Sequence, residues 1–510
     1  MPQLSQNSLL ESSYRSLQQS PPSLFDTIRC PAFLRYNVVQ RTLSAAVLAP
    51  ALTVFLWLSP AIATSTVCSF MTSTCSYEYA CLANRIRLRL LTRLEALENS
   101  TGNETKPRLS TSDISSSDSQ DYHDDRCTSI NSFECEVATV NKTVGINSHG
   151  TAQLHRGQSS DDDKYFAPML SRTTASRAFH EEQEAREMAR VNNELKEQEA
   201  RLRRCAVTNV ATSFFKGYEW LAAVAVSAVM CTISSGIFLL AIQNMPVLAT
   251  TEFYAARAFY TIATGFVAAM CACMSPDWQY AVVIFVQNAI FTILTLHSTA
   301  CPINVLSCHM AIKPAQIVLA GMIVFMIFRF ATSRSNAEAF LTFALDAVGL
   351  IYIIGTLSVL VAFVDDERRT LYRKLLIALL YVVWASDTGA YVTGKALALA
   401  KYPYYHPLAA HLSKNKDYEG TLGAIGFGIV AMVVTSDKLE LPGSYKAKVL
   451  FTVIAVIIGR LGDLFESLLK RAAGVKDSGT LIPGHGGVLD RIDALMFATL
   501  VFSRYYAMMY

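Results

Sequence analysis

Ten long apolar runs leave this chain very few folds to adopt. They lie at about Leu43–Thr64, Glu219–Ile242, Phe253–Met274, Ala281–Ala300, Ala311–Phe330, Phe340–Val364, Leu371–Tyr391, Thr421–Thr435, Val449–Leu469 and Ile492–Met509. Crossing the hydrocarbon of a bilayer takes roughly 20 mostly apolar residues in a helix. A soluble core could not bury so many runs of that length, because nothing would be left to face water. The composition agrees: 52% of the 510 residues are hydrophobic and 17% charged, against about 25% charged in a typical soluble domain. The sequence therefore predicts an all-α, polytopic membrane protein of about nine or ten transmembrane helices. Leu371–Tyr391 and Thr421–Thr435 are short or interrupted, and read as re-entrant or broken segments. The net charge of +3 reflects near balance of acids and bases, and no nucleic-acid partner is expected.

The polar material is concentrated before Ala206. Residues 1–38 form an N-terminal leader or tail, Ser- and Gln-rich, with Arg15, Arg29 and Arg35 against Glu11 and Asp26. A transit-type leader and a disordered cytosolic tail fit it equally. Residues 39–64 hold the first transmembrane helix. Residues 65–205 read as a polar insertion, disordered over stretches such as "STSDISSSDSQDYHDD" and then a charged helix over 175–205. Glu182 with Arg186 and Glu197 with Arg201 make favourable i,i+4 pairs there. Three N-x-S/T sequons (Asn99, Asn103, Asn141) and five cysteines would suit a lumenal insertion. Residues 206–510 form the multi-helix membrane domain. The cysteines show no zinc spacing.

Three polar islands interrupt the apolar second half: "WASDTGAYVTGK" (Trp384–Lys395), "HLSKNKDYEG" (His411–Gly420) and "GRLGDLFESLLKR" running on through "AAGVKDSGTLIPGHGGVLDRID" (Gly459–Asp493). A carboxylate at the centre of a membrane helix costs about 2.5–3.5 kcal/mol on insertion scales. One isolated acid would be read as half of a salt bridge between helices; several acids and bases beside glycines point to a site. Asp463, Ser467 and Lys470 stand at i, i+4 and i+7, on one helical face, with Glu466 close to it. Asp490 and Asp493 stand at i and i+3 at the head of the last apolar run. Magnesium prefers hard oxygen ligands, one or two carboxylates plus substrate phosphates, which Asp463 and Asp490 could supply. Lys470, Arg471, Lys476 and Arg491 could neutralise phosphate oxygens. Gly484, Gly486 and Gly487 would let backbone N–H groups approach an anion. The composition is that of a metal-assisted phosphate site at a membrane surface.

The stretch "SLLKRAAGVKDSGTLIPGHGGVLDRID", Ser467–Asp493, resembles the signature of the phosphatidate cytidylyltransferases, or CDP-diacylglycerol synthases. That signature is Ser, two residues, Lys-Arg, four residues, Lys-Asp, then Pro-x-His-Gly-Gly, two residues, Asp-Arg, one residue and Asp. Every position is matched. "VVWASDTGAYVTGK" resembles a second family stretch that contains Asp387 and ends at Lys395. "LSKNKDYEGTLGAIG" resembles a third, imperfectly. There Ser413, Lys416, Glu419 and Gly420 match, while Lys414 replaces a proline, and Asn415 and Asp417 replace Lys and Thr. "RTLSAAVLAPALTVFLWL" and "YEWLA" resemble the first helix and the lead into the second. The resemblance covers about 39–64 and 206–510 and leaves 65–205 without a counterpart.

The resemblance implies a reaction in which CTP and phosphatidic acid give CDP-diacylglycerol and pyrophosphate in phospholipid biosynthesis. It places the metal on Asp463 and Asp490, with Mg2+ and a second, monovalent cation as the expected cofactors. Lys470, Arg471, Lys476 and Arg491 would grip phosphates, while Asp477, His485 and Asp493 would orient the loop or the nucleotide. Asp387, Lys395, Ser413, Lys416, Glu419, Ser467, Gly486 and Gly487 would contact substrate. A homodimer is a family-level expectation. The alternatives are a multi-pass transporter and another CTP-dependent lipid enzyme such as a polyprenol kinase. The first would more naturally show paired broken helices in two related halves. The unbroken Lys-Asp to Asp-Arg-x-Asp run argues against the second. The signature is closer to the bacterial and organellar branch, so a plastid-type membrane is favoured over the endoplasmic reticulum. Topology stays open. Arg35 and Arg41 favour a cytosolic or stromal N-terminus, and the basic "RIRLRLLTRL" and "RLRR" of the insertion argue the reverse.

Overall fold

The computed structural model describes residues 49–58, 61–104, 205–243, 252–300, 313–363, 369–402, 406–409, 412–479, 481 and 486–509. The chain divides into two compact units, one of Met1–Leu94 with Leu195–Tyr510 and one of Glu95–Glu194. Of the second, only helical residues 95–104 are described. The first holds every membrane-length apolar helix among the described residues.

The described residues are almost entirely helical. Helices α1 (Ala49–Leu58) and α2 (Ala61–Glu104) precede α3 (Thr208–Phe214), α4 (Glu219–Gln243), α5 (Glu252–Cys273), α6 (Trp278–Ala300) and α7 (Pro314–Thr332). Then come α8 (Asn336–Gly349), a π-helical turn (Leu350–Gly355), α9 (Thr356–Ala362), α10 (Arg369–Leu399), α11 (Tyr418–Leu439), α12 (Tyr445–Ala472) and α13 (Leu489–Met509). Seven helical segments among the described residues are long and apolar enough to cross a membrane: α4, α5, α6, α7, the run α8 to α9, α10 and α11. Each falls on one of the apolar runs in the sequence, and the all-α polytopic class holds. Helices α12 and α13 cover the last two runs but carry the charged residues of the signature.

Local signals set the ends. Pro314 opens α7. The Ser335 hydroxyl accepts the Glu338 N–H at 3.2 Å to start α8, and the Asp417 carboxylate accepts the Gly420 N–H at 2.6 Å to start α11. Helices α4 to α8 pack in chain order, each on the next, while α10 to α13 gather into a bundle. The run α8 to α9 lies between the two groups, touching α6 and α7 on one side and α13 on the other. The π turn widens it locally; Tyr352, within that turn, packs edge-on against Phe465 of α12 and at a tilt against Phe497 of α13, at centroid distances of 5.0 and 6.0 Å. A short antiparallel hairpin, β1 (Pro407–Ala409) with β2 (Ser413–Asp417), connects α10 to α11, Pro407 opposite Asp417 and Ala409 opposite Ser413.

Two sequence expectations need correction. Leu371–Tyr391 and Thr421–Thr435 are neither re-entrant nor broken: each lies inside one uninterrupted helix. The hydroxyls of Ser386 and Thr388 donate to the carbonyls of Val382 and Trp384, four residues back, at 2.7 and 2.8 Å. Two hydroxyls of the α10 polar island are thereby satisfied within the helix. The second correction is larger. Residues 65–104, expected as the start of a disordered insertion, are helical and form part of α2. Cys68, Cys75, Tyr79, Leu82, Ala83 and Ile86 are buried in the main core. The Tyr79 hydroxyl donates to the Leu345 carbonyl at 2.7 Å, and Arg87 pairs with Glu338 at 3.6 Å, so α2 is tied to α8. Cys68, Cys75 and Cys81 are free thiols. The expected helix over 175–205 lies outside the described residues except for Cys205.

Candidate active site

The polar face of α12 meets the head of α13. Gly462 makes the crossing close: a Cβ there would stand 2.8 Å from the Asp493 carbonyl oxygen and from the Phe497 ring. The backbone approach places Asp463 and Glu466 of α12 beside Asp493 of α13. One carboxylate oxygen from each of these three lies within 4.8 Å of the others. Glu466 and Asp493 are buried, at 0% and 6% exposure. Asp493 accepts the Ala494 N–H at 2.7 Å. Glu466 Oε1 is a buried oxygen without a hydrogen-bond partner.

Cations arrive from three directions. The hairpin carries Lys416 to α12, where its ammonium donates to the Asp463 carboxylate at 2.5 Å, the Asp463 carbonyl at 2.7 Å and the Ser467 hydroxyl at 2.8 Å. Arg460, one turn before Asp463, reaches its other carboxylate oxygen at 3.4 Å. The Lys470 ammonium sits between Glu466 and Asp490, at 2.5 and 2.7 Å. The second Asp490 oxygen accepts two loop amides, Ser478 N–H at 3.0 Å and Gly487 N–H at 3.1 Å. Burial alone would raise the Asp490 carboxyl; hydrogen bonding with Glu466 and Lys470 and the Lys470 charge overcome it and hold the group well below the usual carboxylate range.

The loop from α12 to α13 is bound at both ends by carboxylates. Besides Asp490, the buried Glu78 of α2 accepts Val488 N–H at 3.0 Å, Leu489 N–H at 2.8 Å and the Ser478 hydroxyl at 3.3 Å. Burial pushes the Glu78 carboxyl up, and the two amides pull the other way. Gly487 has to be glycine, since a Cβ would collide with the Ser478 hydroxyl and the Glu78 carboxylate.

Of the residues singled out in the sequence, the structure brings Asp463, Ser467, Lys416, Lys470, Asp490 and Asp493 into one network. Asp387, on α10, lies within electrostatic reach of Asp463, Arg460, Lys416 and Arg491. Asp490 is not one of the three mutually close carboxylates; Glu466, Lys470 and the loop amides engage it. Arg471 turns away, donating to the Leu412 and Val475 carbonyls at 3.3 and 3.1 Å. Lys476, Asp477 and Arg491 are exposed, and Gly486 adopts φ +85°. Lys395 lies 5.8 Å from the Tyr391 ring centre, Glu419 pairs with His406 at 2.7 Å, and Ser413 pairs in the hairpin with Ala409. None of those three contacts is with a member of the acid trio. His485 lies outside the described residues. Arg460, Glu466 and Glu78 join the network beyond the residues expected there. Glu466 was visible at i+3 from Asp463, whereas no spacing in the sequence links Glu78 to a loop 400 residues away.

A cluster of three carboxylates, one with an orphaned oxygen, with lysine and arginine beside it, can hold a divalent cation and meet phosphate oxygens. Similarity to known proteins points the same way. Over 159 residues the chain is 38% identical to a phosphatidate cytidylyltransferase of Bacillus subtilis, covering 31% of this chain and 57% of that protein. Proteins of the same name from Staphylococcus epidermidis (35% over 184 residues, 36% and 66% coverage) and Haemophilus influenzae (40% over 136 residues, 26% and 45%) are also similar. The chain thus spans about half to two thirds of the length of these curated relatives. The model of the cytidylyltransferase family matches residues 203–509, which take in every residue of the network except Glu78, and the chain belongs to that family.

Proposed function

We propose that the chain is a phosphatidate cytidylyltransferase of an integral membrane, converting CTP and phosphatidic acid to CDP-diacylglycerol and pyrophosphate. One observation carries this reading: the two ends of the Ser467–Asp493 signature fold against each other through the Lys470–Asp490 ion pair at 2.7 Å. A lipid phosphate oxygen forms the new bond to the α-phosphorus of CTP as the bond from that phosphorus to the pyrophosphate oxygen breaks. The nucleophile is already an anion, so no activated serine or cysteine is required; the work is alignment and charge neutralisation.

The residues fit a magnesium ion. Asp463, Glu466 and Asp493 offer hard oxygens within one small volume, and the free Glu466 oxygen is a ligand in waiting. Asp490 adds a carboxylate at the edge of that set. Bound there, the ion would draw charge off the phosphates and assist pyrophosphate departure. Lys416 and Arg460 hold Asp463 in place, and Lys470 is positioned to exchange a carboxylate for a phosphate oxygen. Lys476 and Arg491 stand exposed where phosphates can reach them, and Asp477 and His485 serve the nucleotide. Asp387 borders the same charges, and Lys395, Ser413 and Glu419 contact substrate as the resemblance implies. A second, monovalent cation, a homodimer and a plastid-type membrane complete the proposal, the last resting on the resemblance of the signature to the bacterial and organellar branch.

The test supplies membranes carrying the full chain with labelled CTP, phosphatidic acid and magnesium, beside Asp490→Ala. Lipid-linked label that needs both magnesium and Asp490 is the expected outcome. Folded protein that yields no such product would sink the proposal.

A further inference from the structure

Helix α2 precedes the residues that define the family, yet Glu78 sits inside the signature. Its side chain is 1% exposed, and its three donors come from both ends of the loop between α12 and α13: Ser478 on one side, Val488 and Leu489 on the other. Asp490 ties the same two ends through Ser478 N–H and Gly487 N–H. Two carboxylates therefore close one loop, one from within the signature and one from a distant helix. The loop leaves room for the second. At Gly479 a Cβ would stand 2.6 Å from Glu78 Oε1, and at Gly487 one would stand 2.6 Å from Oε2. The amides that Glu78 accepts lie at the start of α13, where unpaired N–H groups favour a negative charge.

We propose that Glu78 is a positioning residue for the nucleotidyl transfer, resting on the cytidylyltransferase reading of the site. It touches no reacting atom. By fixing Ser478 and the first amides of α13 it sets the loop from which Asp490 accepts its hydrogen bonds, and through Asp490 it sets Lys470. Helix α2 is then a working part of the catalytic unit.

The experiment uses the full chain with Glu78→Gln, Glu78→Asp and Glu78→Ala, beside Glu95→Gln, an exposed acid farther along the same helix. CTP kinetics at saturating phosphatidic acid are measured together with amide exchange across 478–489. Misplacement of a reacting group by about 1 Å can cost about 100-fold. Glu78→Gln is therefore expected to lower kcat by about 10- to 100-fold with the KM for CTP changed less than about threefold. Amides 488 and 489 should exchange faster, Glu78→Asp should recover part of the rate, and Glu95→Gln should match the parent. A kcat within twofold of the parent in Glu78→Gln and Glu78→Ala overturns the proposal, as does a loss that only follows the amount of folded protein. If the parent itself forms no lipid product, the reaction is misread. The exchange measurement then still judges Glu78, and unchanged exchange in Glu78→Gln overturns its hold on the loop.

Discussion

Two clusters of charge among the described residues are built to opposite plans. Between α7 and α8, Arg329 meets Asp346 through two hydrogen bonds, at 2.6 and 3.1 Å. Its third arm donates to Gln279 at 2.8 Å, and its guanidinium carbon stands 5.0 Å from the centre of the Tyr280 ring. One cation answers one anion and both carboxylate oxygens are used. Between α12 and α13, Asp463, Glu466 and Asp493 crowd together, with Asp490 at the edge, and a buried Glu466 oxygen is left without a partner. The first arrangement is complete as it stands and holds two helices together. The second leaves a buried acceptor open among three close carboxylates, and so can take a ligand. Inside a membrane, the presence of charge does not separate scaffold from site; whether the charge is already satisfied does.

The comparison can be broken in four ways. The largest effect is expected at the satisfied pair. Arg329→Met strands a buried carboxylate and should cost about 3–5 kcal/mol, read as a lower thermal midpoint in detergent. The double variant Arg329→Met with Asp346→Leu should recover most of it; failure to recover would mean the pair does more than close a gap. Next, Asp493→Asn keeps the acceptor for Ala494 N–H but removes one carboxylate from the trio. Product formation should fall about 10²- to 10³-fold, while the thermal midpoint holds or rises, the pattern of a site whose strain serves function. A clear drop in midpoint would place Asp493 with the structural charges. Third, magnesium should stabilise the parent by up to about 2.7 kcal/mol at a hundred times its dissociation constant. Asp463→Asn should show a smaller shift, and an equal shift in both would remove Asp463 from the ion. The smallest effect belongs to Leu240 on α4, which is 69% exposed. Leu240→Ala should change stability by no more than about 0.5 kcal/mol.

How far the sequence could be read depended on how far the interactions reach along the chain. The spans were legible because a bilayer demands a continuous apolar run, which is a local property. The signature was legible because Ser467 to Asp493 is contiguous. Helix α2 was missed because its buried face is rich in Ser, Thr and Cys. Ser69, Thr72, Ser73 and Ser76 are all buried. The Thr72 and Ser73 hydroxyls donate to carbonyls four residues back at 2.9 and 3.1 Å, so these side chains hide polarity that a reading by composition counts against burial. The two segments taken as interrupted were misread for the same reason.

By itself the sequence determined the helical membrane class, the positions of the seven membrane-length apolar helices among the described residues and the chemical character of the site, since each follows from residue type and short-range spacing. Only the tertiary structure decided which acids share a volume, which cation each one meets, and that a glutamate far upstream holds the signature loop. Those depend on the close crossing at Gly462 and on the docking of α2, and contacts between distant segments leave no periodicity in the chain that forms them.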